Sequence, residues 1–138
     1  MKIKSDFVTN SSSTSFIIIS ENELTKDDFL SLMGVEKESD FYEMVNELFY
    51  NIKSNMKEIN KAYQEEYSST YNNIELYIKE EYSDEVYSKY LDGIKNNKKI
   101  YVGYLSSDGE GVLTGFICCD YLIEENEKIY FNYTNCFW

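Results

Sequence analysis

Phe7-Val8-Thr9-Asn10-Ser11-Ser12-Ser13-Thr14-Ser15-Phe16-Ile17-Ile18-Ile19-Ser20 is the stretch on which the fold turns, because a run of polar residues passes directly into aromatic and β-branched ones. The side chains of Phe16, Ile17, Ile18 and Ile19 fit a pleated, buried surface. With no polar residue among them, they predict a strand covered on both faces. Thr9, Asn10, Ser11, Ser12, Ser13, Thr14 and Ser15 have no place in such a core. Their side chains hydrogen-bond nearby backbone groups and favour turns, so a tight, self-bonded loop is expected between Phe7 and Phe16.

Helices follow. Thr25 with Asp28 three residues on resembles a capping box and starts a short helix. Phe29, Leu30, Leu32 and Met33 form its apolar side, and Gly34 is placed to end it in the left-handed conformation. Phe41, Val45, Leu48, Ile52, Met56, Ile59 and Tyr63 recur by threes and fours, which predicts one long core helix capped by Ser39 or Asp40. Ser68-Ser69-Thr70 interrupts it. Tyr71, Ile74, Ile78 and Tyr82 mark a further helix with weak caps, and Ser83 reads as the N-cap of the next, where Asp84 and Glu85 complement the helix dipole. Val86, Tyr90, Leu91 and Ile94 are its expected buried stripe.

From Lys99 the period changes to alternation, and strands are expected over 100–106, 112–119 and 128–134 as an antiparallel meander. Asp108-Gly109 suits the turn between the first two. Gly103 and Gly115 fall inside strands, where a missing side chain marks a bulge or a close backbone approach. Cys136, Phe137 and Trp138 suggest a docked tail. The expected fold is therefore α+β, one domain over 1–138. A mainly antiparallel sheet of about four strands, the N-terminal strand lying inside it beside a C-terminal one, packs against three to four helices.

Composition limits the chemistry. The chain has 138 residues, enough for one core, and no proline. Its 13 basic residues are all lysine, against 25 acidic ones, a net charge of −12 that argues against a nucleic-acid binder or an anionic membrane surface. Met1-Lys2-Ile3-Lys4 begins like a signal peptide, but the apolar run after it is too short, so a cytoplasmic location is expected. Three cysteines, two of them adjacent (Cys118 and Cys119), suit free thiols. Absence of histidine removes the usual general base, proton shuttle and metal ligand, and the cysteines lack zinc spacing. No cofactor, metal or catalytic residue is expected. An enzyme using Ser or Cys would need a pocket gathering Lys4, Ser12 and an acidic residue. The carboxylate pairs Glu65-Glu66, Glu80-Glu81 and Glu124-Glu125 follow no metal-loop spacing and read as solvated faces.

Two surfaces remain as candidates. The hydroxyl run from Thr9 to Ser15 can bind an anion through its amides, or serve as a recognition or modification segment, although it lacks the Gly-Lys-Ser core of a P-loop. The stretch from Phe7 to Ile17 resembles an N-terminal signature shared by many small uncharacterised bacterial and phage proteins, in which the serine run is usually unbroken where Thr14 stands here. The resemblance implies a phage or mobile-element origin and no known activity. The other candidate is acidic: residues 36–92 hold 14 acidic and 6 basic side chains, a balance of −8. Fourteen tyrosines suit a binding surface, and equally an AT-rich coding sequence. Glu58, Tyr63, Glu65, Glu66, Tyr67, Glu80, Glu81, Asp84 and Glu85 are expected to form an acidic, tyrosine-bearing face for a protein partner with a basic surface. The corresponding function is inhibition of a basic host or defence protein, with nucleic-acid mimicry of an anti-CRISPR-like kind as its sharpest form.

Overall fold

A computed structural model describes residues 13–106 and 123–137 of the chain. Five strands, β1 (Ser13–Ser20), β2 (Met56–Glu58), β3 (Lys99–Ser106), β4 (Ile123–Glu125) and β5 (Ile129–Phe137), form one sheet in the order β2-β3-β1-β5-β4. All four pairings are antiparallel. The helices are α1 (Lys26–Met33), α2 (Tyr42–Asn55), α3 (Ile59–Ala62), which continues into a π-helical turn (Tyr63–Tyr67), α4 (Ile74–Glu81) and α5 (Asp84–Lys95). The class is α+β, and the described residues hold five strands where about four were expected.

β1 occupies the centre for the reason its sequence gives. Successive strand side chains alternate between faces, so Phe16 and Ile18 enter one core with Phe29, Leu48, Ile52 and Phe131, under α1 and α2. Ile17 and Ile19 enter the other with Ile59, Tyr77, Ile78 and Val86, under α3 to α5. All four are buried, each contributing roughly 2 kcal/mol of apolar transfer.

The hydroxyl segment ends differently from expectation. Ser13, Thr14 and Ser15 belong to β1, where Ser13 lies opposite Ser106 and Phe137, and Ser15 is buried. With a strand on each side, the ladder satisfies the backbone groups that a self-bonded loop would otherwise have occupied. Thr9 to Ser12 lie outside the described residues, as do the expected strand at 112–119, the Asp108-Gly109 turn, Gly115, Cys118, Cys119 and Trp138. A meander would set the strand expected at 112–119 between β3 and β5, and the described sheet has β1 there instead. A strand apolar on both faces is best covered in the middle of the sheet.

The long helix expected from Phe41 to Tyr63 is also broken. α2 stops at Asn55, and Met56, Lys57 and Glu58 pair with Gly103, Val102 and Tyr101 on the edge of β3. The apolar stripe thus divides: Val45, Leu48 and Ile52 pack on one side of the sheet and Ile59 on the other. A continuous helix cannot round a sheet edge, whereas an extended triplet does so and gains ladder hydrogen bonds.

Local signals fare better. The Thr25 hydroxyl accepts from the Asp28 amide at 3.1 Å, and Gly34 has φ 71°. Ser83 caps α5 through the Val86 amide at 3.2 Å. α4 is capped more firmly than expected, by the Asn73 side chain accepting from the Leu76 amide at 2.8 Å. Neither Ser39 nor Asp40 is the N-cap of α2; Phe41 holds that position, with its amide bonded to the Ser39 hydroxyl at 3.0 Å.

α5 corrects one more expectation. Its buried side is Val86, Tyr90 and Gly93, while Leu91 and Ile94 are 41% and 54% exposed. Gly93 explains the rotation: a Cβ there would lie 2.9 Å from Ile19 Cγ2, so the helix approaches β1 through its glycine and turns the two larger residues outward.

Candidate functional site

The helical layer formed by α3, the π-helical turn, α4 and α5 holds most of the expected face. The π-helical turn sets Tyr67 against α4, where its ring stacks on Tyr77 with centroids 4.1 Å apart. Tyr71 and Tyr82 pack on Tyr77 at 5.9 and 6.1 Å. The hydroxyls find fixed partners: Tyr63 donates to the Tyr71 carbonyl at 2.7 Å, Tyr82 to the Phe16 carbonyl at 3.2 Å, and Tyr71 to the Glu81 carboxylate. Tyr67 and Tyr104 share a hydrogen bond between their hydroxyls. Tyr67, Tyr77, Tyr82 and Tyr104, with Lys57 and Glu66, line a cavity of about 30 Å³, room for a water or two.

These phenols are held protonated. Burial raises the pKa of Tyr67, Tyr77 and Tyr82, and the hydrogen bond to Glu81, followed by burial, pushes Tyr71 up to about 12. At neutral pH the cluster offers hydroxyl donors and ring faces but no base and no phenolate nucleophile. It acts as a packed clamp between the helical layer and β1 and β3.

The clamp makes stability fall in alkali. Tyr71 changes from 10.0 when unfolded to about 12 when folded, so its contribution is whole below pH 10 and is lost as pH rises from 10 towards 12. Tyr67, Tyr77 and Tyr82 shift in the same direction and add to the loss. A urea midpoint that is flat from about pH 7 to 9 is expected to drop steeply above about pH 10, in step with tyrosinate absorbance. A midpoint unchanged up to pH 12 would show that these phenols are not buried.

The expected acidic face is largely occupied by internal contacts. Glu58 accepts from the Asn60 amide at 3.0 Å and caps α3. Lys57 bridges Glu65 and Glu66, each at 2.9 Å, which lowers the Glu65 pKa and raises that of Lys57. Glu81 takes the Tyr71 hydroxyl, and Glu85 the Tyr130 hydroxyl at 2.7 Å, whose oxygen accepts in turn from Asn132 at 2.8 Å. Tyr63 and Tyr67 serve the clamp. Among the described residues, Glu80 and Asp84 are exposed and make no hydrogen bond or ion pair through their side chains.

A surface that sequence periodicity missed lies beside those two. Tyr87, Leu91 and Ile94 follow one another at i, i+4 and i+7 along α5, and Leu76 on α4 is 37% exposed. Exposed Glu75, Glu80, Asp84 and Asp92 stand on the same two helices, against Lys79, which sits 5.8 Å from the Tyr87 ring centre, and Lys95. Gly93, one helical step beyond the buried pair Val86 and Tyr90, was the available signal. Among the described residues no group of three or more Cys, Asp or Glu is placed to hold a metal ion, and no helix is long and apolar enough to cross a membrane. Comparison with known proteins finds no matching family model, no similar characterised protein and no similar solved structure.

Proposed function

We propose that the protein is a non-enzymatic binding protein that occludes a basic partner protein with the outer surface of α4 and α5. The supporting observation is that Glu75, Glu80, Asp84 and Asp92 remain exposed there without ion pairs, around apolar residues that the fold does not need to expose. Neighbouring carboxylates are engaged instead: Lys57 bridges Glu65 and Glu66, and Lys89 pairs with Glu125 at 2.6 Å. A net charge of −12 steers basic partners towards the molecule at long range, and the desolvated contact then selects among them. In the phage or mobile-element setting that the N-terminal resemblance implies, the partner is a host or defence protein.

The immobilised chain is expected to retain basic proteins from extracts of its native cell at about 0.05 M salt and to release them at about 0.5 M, where the Debye length is only a few ångströms. A variant carrying E75K, E80K, D84K and D92K should lose that retention at low salt. Equal retention at both salt concentrations, or by both proteins, defeats the proposal.

A further inference from the structure

We infer that the row Tyr87, Leu91 and Ile94 on α5 is the docking strip for a single amphipathic helix of the basic partner, apolar along its centre and lysine- or arginine-bearing on its flanks. This rests on the reading of the chain as an acidic binding protein and names the part of the partner that it grips.

Two of the three residues, Leu91 and Ile94, are surplus to the fold, while Tyr87 also packs against the core beneath α5. α5 closes on the sheet with the adjacent side, where Gly93 meets Ile19 and Ile100, and Val86 and Tyr90 are buried. Leu91 and Ile94, at 41% and 54% exposure, therefore contribute little to that core. Three residues at i, i+4 and i+7 span about 10 Å, which two turns of a facing helix match with anchors at the same spacing. Charge decides between occupants. Asp84 and Asp92 on α5, with Glu75 and Glu80 on α4, outnumber Lys79 and Lys95. A second copy of the chain would bring these carboxylates against their own equivalents, a like-charge opposition that disfavours self-pairing. A cationic helix meets them with opposite charge while its leucine-like residues cover Leu91 and Ile94.

The whole chain can be titrated with three fluorescent synthetic peptides of about 18 residues. One carries Leu at helical spacing with Lys elsewhere, the second has Ser for each Leu, and the third has Glu for each Lys. Fluorescence anisotropy should show the Leu/Lys peptide binding at least about tenfold more tightly than the Ser/Lys one, with the Leu/Glu peptide not binding. Leu91→Ser with Ile94→Ser should cost the Leu/Lys peptide about tenfold and leave the Ser/Lys peptide unchanged. If both cationic peptides bind equally, and the double variant changes neither, the strip is refuted while the acidic binding reading survives. If no cationic peptide binds at all, that reading fails and the strip with it. A wild-type dimer in sedimentation that the double variant converts to monomer assigns the strip to a second copy and overturns the inference.

Discussion

Phe131→Ala is expected to lower the unfolding free energy by about 4 kcal/mol, a large part of the margin of a domain this size. Phe131 is fully buried on β5, opposite Ile18 of the central strand. Its ring meets Phe16 at 6.3 Å, Phe29 at 5.7 Å and Tyr133 at 5.7 Å, in edge-on geometries that join β1, β5 and α1. Truncation removes the transfer free energy of the ring and leaves a cavity. Phe16 and Tyr133 cannot close over that cavity, because both stand on strands locked in the ladder. Urea titration should show a lower midpoint with an unchanged slope. A loss below about 1 kcal/mol would mean that the aromatic cluster collapses freely, contrary to close packing.

Gly103→Ala is expected to cost about 3 kcal/mol through overpacking. A Cβ at this position would lie 2.4 Å from the Asn55 carbonyl oxygen and 2.7 Å from Cζ of Phe16. The oxygen is backbone, at the last residue of α2, and the next residue, Met56, pairs with Gly103 itself. Relief therefore requires β2 to separate from β3. Besides the lower urea midpoint, amide exchange at Met56, Lys57 and Glu58 should accelerate relative to α1, which does not touch the site. Wild-type stability and exchange in this variant would place the end of α2 farther from β3 than described.

The same two positions show how far the chain could be read. Gly103 was legible as a point of close approach, since glycine inside an alternating strand has few other uses, but what approaches it was not. Asn55 arrives there only because the helical stripe from Phe41 to Tyr63 breaks at Met56, and periodicity reports that a residue is buried without saying on which side of a sheet. The candidate site divides similarly. Glu65, Glu66, Glu81 and Glu85 could be recognised as acidic, yet their engagement by Lys57, Tyr71 and Tyr130 depends on neighbours outside their own helices. Leu91 and Ile94 were placed inside for the same reason, until Gly93 turned them out.

Sequence by itself determined the two-sided burial of Phe16 to Ile19, the helix starts at Thr25 and Ser83 and the stop at Gly34, because each depends on bonds or alternation within a few residues. Tertiary structure alone decided that β1 reaches back to Ser13, that β2 interrupts the long helix, and which carboxylates stay free. Those outcomes are competitions for hydrogen-bond partners and apolar surface between segments far apart in the chain, and only the assembled sheet settles which segment wins.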